Sequence, residues 1–242
     1  MVQPEEASAS EIISGLDLNN YSGIMARRTR RALLRRMALA DLNHETSIAI
    51  YLREIADVWN DSIERWVYVS GTDWCREFNV RGYYVRIAPK QTGAEGSSFQ
   101  KNVDIKNVPA AEDSRRPGHL VSPDALALVR FGLRAAADPR IRDTACVVDA
   151  LLKVGTPSGP AWHRYNDDGY GEHENGSPFD GTGIGRVWPL LVGERAHYEL
   201  AAGRIEETKH LLAALEIYAS TRRSRFSFVF AGIGLGRTSQ TL

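Results

Sequence analysis

Apolar residues recur at steps of three and four along most of this chain, and this spacing restricts it to a mainly helical fold. The pattern predicts helices over residues 31–64, 122–137, 141–152, 186–202 and 205–218. His44 and Glu45 are expected to form a turn that divides the first of these stretches into two helices. We expect these helices to pack in antiparallel pairs that long polar loops join.

Local signals place the helix ends and one short strand. Ser122 followed by Pro123 is a favourable helix start, and Gly203 is a favourable stop between the last two helices. In residues 81–87, Tyr83, Val85 and Ile87 alternate with Tyr84 and Arg86, which predicts one strand of a short β-hairpin.

Charge and composition exclude several classes of function. The chain has 242 residues, enough for one domain, with 30 basic and 30 acidic side chains and a formal net charge of zero. No overall field therefore attracts nucleic acid or an anionic membrane, and we expect a small or uncharged partner. The chain has no apolar run long enough to span a membrane and no secretory signal, and its localisation stays open.

The two ends differ from the middle of the chain. Residues 1–30 are expected to be irregular, residues 31–219 to form the folded domain, and residues 220–242 to pack poorly. This basic, glycine-rich tail contains no acidic residue, and it looks like the translation of an unrelated or frameshifted coding sequence. Six arginines in residues 27–36 leave open a nucleic-acid or membrane binder, but no aromatic residues interleave them for base stacking, which favours a solvated helix face.

The segment 162–200 has the composition of a sugar pocket. A sugar site needs acceptors for hydroxyls, a guanidinium that can donate to two oxygens, and flat apolar faces, and all occur here. Arg164, Asp168 and Glu172 recur at four-residue steps, but intervening glycines disfavour a helix and predict a loop that crowds the three toward one cavity. A structural salt bridge is the alternative, and Trp188 fits either a core position or a sugar platform.

Metal binding is not expected in this segment. Asp167, Asp168 and Glu172 offer oxygen ligands, but their spacing differs from that of a calcium loop. His163 and His173 lack the spacing of a zinc site, and the two cysteines are far apart and form no metal motif. We expect neither a metal nor another cofactor.

The sequence RYNDDGYGEHENGSPFDGTGIGRVWPLLVGERAHYELAAG, residues 164–203, closely resembles bacterial glucoamylases and glucodextranases of glycoside hydrolase family 15. The similarity extends over about residues 33–219 and corresponds to the C-terminal half of the family's catalytic domain. The resemblance implies an incomplete (α/α)6 toroid of antiparallel helix pairs. It also implies the family's reaction, the inverting release of glucose from the non-reducing ends of α-glucans, with linkage preference left open.

The resemblance also implies roles for individual residues. Arg164 and Asp168 match residues beside the glucose at the cleavage point, Trp188 matches an aromatic wall, and Glu172 is a candidate hydrogen-bond acceptor. Glu5 stands in the position of the catalytic acid, whereas the family's catalytic base has no counterpart after Tyr218. The expectation is therefore a truncated glucoamylase-type domain with an α-glucan as its partner. A carbohydrate-binding remnant without turnover is the alternative.

Overall fold

The computed structural model describes residues 38–40, 42–87, 102–105, 107–108 and 114–221. Glu5, the predicted irregular segment 1–30, the arginines of residues 27–36 and the tail from residue 222 lie outside these described residues. The helices are α1 (Thr46–Val67), α2 (Asp73–Glu77), α3 (Ala127–Arg130), α4 (Pro139–Leu152), α5 (Pro189–Ala201) and α6 (Ile205–Thr221). Two single-turn 3-10 helices, Pro117–His119 and Pro123–Leu126, precede α3.

Six short strands form three separate antiparallel pairs among the described residues. The strands are β1 (Tyr68–Ser70), β2 (Gly82–Tyr84), β3 (Val103–Asp104), β4 (Ser114–Arg115), β5 (Lys153–Thr156) and β6 (Gly159–Trp162). They pair β1 with β2, β3 with β4, and β5 with β6. The described chain is therefore mainly helical, as predicted, but it has two strand pairs more than the single hairpin expected.

Several predicted helix boundaries are confirmed. His44 has a left-handed backbone, with φ of 61°, at the predicted turn, and α1 begins two residues later. Gly203, with φ of 75°, separates α5 from α6, and these helices pack closely as a pair. The short connection makes the pair antiparallel. Helix α6 continues to Thr221, beyond its predicted end and into the predicted tail.

The predicted helix over residues 122–137 is wrong in length. Ser122 does cap its start by accepting a hydrogen bond from the backbone N–H of Asp124 at 3.3 Å, and Pro123 follows. However, α3 ends at Arg130 and Gly132 has φ of 69°, outside the helical region. Beyond Arg130 the chain forms a turn, and the apolar side chains spaced along it pack on the core without belonging to a helix.

The predicted strand over residues 81–87 is shorter than expected, and its alternation is also wrong. Tyr83, Tyr84 and Val85 are all buried, so both faces of β2 are covered. Helix α4 covers it with Thr144, whose side-chain hydroxyl accepts from the backbone N–H of Tyr84 at 2.9 Å. The hydroxyl of Tyr84 donates to Glu64 of α1 at 2.6 Å. A phenol can be buried in this way because its hydroxyl still has a partner.

The hydrophobic core joins α4, α5 and α6 to the β1–β2 and β5–β6 pairs. Its largest fully buried side chains are Trp162, Tyr83, Tyr84, Leu128, Ile141, Leu152 and Leu211. Trp162 ends β6, so the core fixes the point at which the next segment of chain leaves the hairpin. No helix in the described part of the chain is long and apolar enough to cross a membrane.

Candidate functional site

The candidate site lies on the long connection between β6 and α5. The two ends of this connection meet, because the backbone N–H of Trp188 donates to the carbonyl oxygen of Trp162 at 3.0 Å. Trp188 immediately precedes Pro189, the first residue of α5. The connection therefore forms a closed loop, residues 163–187, based on the hydrophobic core, and we call it the site loop.

Arg164 and Asp168 form a two-pronged ion pair within the site loop. Arg164 donates from Nε to Oδ2 of Asp168 at 2.7 Å and from one Nη to Oδ1 at 2.6 Å. The Asp168 side chain is only 2% exposed, whereas that of Arg164 is 29% exposed. Burial opposes the charge of Arg164, but the hydrogen bonds and charge of Asp168 outweigh it and raise the pKa of Arg164. The buried carboxylate of Asp168 thus fixes the orientation of the guanidinium. The second Nη has no partner among the described residues.

Three aromatic rings surround the guanidinium of Arg164. Its Cζ atom lies 5.1 Å from the ring centroids of Tyr170 and Trp188 and 5.5 Å from that of Tyr165. Burial and the negative charge of Asp168 raise the pKa of Tyr165, so its phenol stays neutral at physiological pH. Cations are attracted to aromatic faces at such distances, and the rings restrict the positions that the guanidinium can take.

Polar contacts and one backbone turn shape the site loop. The side chain of Asn166 donates to the carbonyl of His119 at 2.7 Å and accepts from the backbone N–H of Val121 at 2.9 Å. Asp167 has φ of 59°, a left-handed conformation that Asp tolerates better than most residues. This turn reverses the chain between Arg164 and Asp168 and brings the two side chains together without a helix.

A cleft of about 400 Å³ opens beside the pair. It is lined by Arg86, Ile87, Asp104, Ile105, Asn107, Leu120, Arg164, Tyr165 and Tyr170. This volume lies within the range of small-ligand sites, and the lining combines apolar walls with a few polar groups, as such sites do. Asp168 is not part of the lining, so it acts on the cleft through Arg164.

The other predicted site residues have different positions. Trp188 contacts Arg164 but does not line the cleft. Glu172 accepts a hydrogen bond at 3.1 Å from Arg186, with both side chains partly exposed, and is also absent from the lining. The described residues contain no cluster of three or more His, Cys, Asp or Glu side chains suited to a metal ion.

Among the residues that line the cleft, sequence reasoning identified only Arg164 as a site residue, and it missed Tyr165, Tyr170 and Arg86 among others. The two tyrosines lie in the site loop beside Arg164, and their proximity in sequence was a usable signal. Arg86 follows β2, far from the site loop in sequence, and only the fold brings its Cζ atom to 4.0 Å from the ring centroid of Tyr165. Nothing in the local sequence of residues 82–87 indicates that contact.

Replacement of Gly185 by Ala tests how tightly the site loop packs. A Cβ atom there would lie 2.5 Å from Cβ and Cγ of Asp168, so the buried carboxylate would have to move. We expect Gly185→Ala to lower the free energy of unfolding by about 1–3 kcal/mol, the usual cost of overpacking, measured by urea denaturation. Gly155→Ala is the matched control, because a Cβ there has no neighbour within 4 Å. Equal stability of the two variants would contradict the packing described.

The sequence comparison and the structure comparison find the same kind of protein. No family model matches the chain. Over 182 residues it is 37% identical to a glucoamylase of Clostridium sp. (strain G0005), a similarity that covers 75% of this chain and 24% of that protein. Its fold matches the crystal structure of a bacterial glucoamylase complexed with acarbose, with a TM-score of 0.70 and 34% identity over 82% of this chain and 28% of the other. This chain therefore spans about a quarter of the length of these relatives.

Proposed function

We propose that this chain, a homologue of bacterial glucoamylases over 75% of its length, is a glucoamylase-type glycoside hydrolase domain that binds α-glucan chains. The family reaction would be release of glucose from non-reducing ends, that of a glucan 1,4-α-glucosidase. The observation that carries the proposal is the Arg164–Asp168 pair at the cleft. It presents an oriented guanidinium, whose second Nη has no acceptor among the described residues, beside aromatic rings.

The chemistry of the pair suits an uncharged sugar. Asp168 neutralises Arg164, so the guanidinium offers directional N–H groups without adding net charge to the cleft. Sugar hydroxyls accept such hydrogen bonds, and the ring of Tyr170 can contact the C–H face of a pyranose. The acarbose bound in the matching glucoamylase is an oligosaccharide analogue, which supports an oligosaccharide as the ligand here.

The positions of the other predicted residues that the structure describes support a role for each. Asp168 would orient Arg164, and Trp188 would restrict the guanidinium from the side of α5. Glu172 would act indirectly, through its ion pair with Arg186. Glu5 lies outside the described residues, and only the resemblance to the family assigns it as the acid that would protonate the leaving oxygen. Inversion also needs a carboxylate base about 6.5–9.5 Å from the acid, and we assign no residue to it.

Binding and turnover can be measured separately on the purified chain. Calorimetric titration with maltotriose and with acarbose is expected to show saturable binding, and glucose release from maltotriose measures turnover. A Glu5→Gln variant should bind equally well and release no glucose. Binding without glucose release from the parent chain would identify a carbohydrate-binding domain. A folded chain that binds neither sugar would refute the proposal.

A further inference from the structure

Arg86 lies at the cleft but outside the site loop. It follows β2, and its backbone N–H donates to the carbonyl of Leu120 at 2.7 Å, which fixes the position of its Cα. Its guanidinium stacks on Tyr165, with 4.0 Å between Cζ and the ring centroid. Tyr165 is only 7% exposed and adjoins Arg164 in the chain. Two arginines from separate parts of the fold thus contact the same ring and line the same cleft.

The two arginines differ in their hydrogen bonding. Asp168 satisfies two nitrogen atoms of Arg164. By contrast, Nε of Arg86 is buried, and no described residue accepts a hydrogen bond from it or forms an ion pair with this arginine. A buried donor without an acceptor is costly. Because Nε itself has almost no accessible surface, a ligand in the cleft would be reached by the terminal nitrogen atoms of the same guanidinium.

We propose that Arg86 is a second sugar-binding residue, which donates hydrogen bonds to oxygen atoms of an uncharged glucan unit in the cleft. This inference rests on the proposed function, since it concerns the same cleft. The charges favour a neutral ligand, because two carboxylates accompany the two arginines: Asp104 lines the cleft without an ion pair to Arg86, and Asp168 is paired with Arg164. Arg86 and Arg164 together would fix the register of the glucan chain.

The test is the affinity of the purified chain for maltotriose. We expect Arg86→Gln to weaken binding about tenfold, the loss typical of a hydrogen bond to a charged group. Arg86→Lys keeps the charge but not the planar donor set and should recover only part of the affinity. Arg142→Gln is the control, because Arg142 lies exposed on α4, and it should bind like the parent chain.

A purely structural role for Arg86 predicts a different pattern. Loss of the stack on Tyr165 would weaken binding of every sugar by the same factor. If Arg86 contacts the ligand, one hydroxyl of maltotriose should contribute to the affinity of the parent chain but not to that of Arg86→Gln. Removal of that hydroxyl, in a set of monodeoxy maltotrioses, should weaken binding to the parent about tenfold and leave binding to the variant almost unchanged.

Each outcome separates this inference from the proposed function. The role of Arg86 would be supported if, for one hydroxyl, the losses of affinity from removing that hydroxyl and from Arg86→Gln were not additive. The role of Arg86 would be overturned if the losses of affinity were additive for every hydroxyl, or if Arg86→Gln bound maltotriose as tightly as Arg142→Gln does. The proposed function would remain, provided that Arg164→Ala still loses affinity. A parent chain that is folded by thermal unfolding and does not bind maltotriose would overturn both.

Discussion

Replacement of Arg164 by Ala is expected to weaken maltotriose binding about 100-fold, because it removes the charged donor that Asp168 orients at the cleft. The loss should be larger than that for Arg86→Gln, since Arg164 also contacts the ring of Tyr170 at the cleft. Calorimetric titration measures the affinity. A decrease of less than threefold would show that Arg164 has only a structural role.

Two further variants separate recognition from folding. Arg164→Ala leaves the buried carboxylate of Asp168 without its partner, which can destabilise the site loop. The double replacement of Arg164 and Asp168 by Ala removes both charges, and we expect it to fold and still not bind. Arg164→Lys should bind poorly, since one ammonium group cannot hold both oxygens of Asp168 and donate to the sugar as well.

The sequence predicts the ion pair better than it predicts the cleft. The four-residue spacing of Arg164, Asp168 and Glu172 predicts a loop that crowds all three toward one cavity, with a structural salt bridge as the alternative. The structure has that salt bridge between Arg164 and Asp168. Glu172 continues the same spacing but binds Arg186 instead. The turn at Asp167 explains the difference, because it brings residues 164 and 168 together without repeating the spacing further along.

Contacts between distant segments could not be predicted from one sequence. The stack of Arg86 on Tyr165 depends on how β2 packs beside the site loop, and the local pattern assigned Arg86 only to one face of a strand. Likewise, Tyr84 was expected on the face opposite Tyr83, yet both are buried because α1 and α4 supply Glu64 and Thr144 as partners. Alternation identifies a face of a strand, whereas burial depends on what packs there.

A network of charged groups joins α4, α5 and the residue just before α6. Arg195 of α5 donates to Asp149 of α4 at 2.7 and 2.8 Å and to Glu199 at 2.7 Å. Asp149 also accepts from the indole of Trp162 at 2.9 Å, and Arg204 donates to Glu199. Since the carbonyl of Trp162 binds the N–H that closes the site loop, this network supports the base of the loop.

Replacement of Glu199 by Ala is therefore expected to lower the free energy of unfolding by about 3 kcal/mol, the cost of removing one partner from a buried ion pair. Its side chain is 3% exposed, and the Arg195 side chain, which would lose one of its two carboxylate partners, is 12% exposed. Urea denaturation measures the change. Glu206→Ala is the control, because that carboxylate is 86% exposed and should contribute little. Similar losses in the two variants would contradict the role of the network.

The pH dependence gives an independent check on the same residue. Burial raises the pKa of Glu199, but its hydrogen bonds to Arg204 and Arg195 outweigh burial and lower the pKa below the ordinary 4.5. A carboxylate with a lowered pKa in the folded state stabilises the fold above its unfolded pKa and loses that contribution as the pH falls through the folded value. The stability difference between the parent chain and Glu199→Ala should therefore be constant near neutral pH and shrink below about pH 4.5. A difference that does not change on acidification would show that lost packing, and not the carboxylate charge, causes the destabilisation.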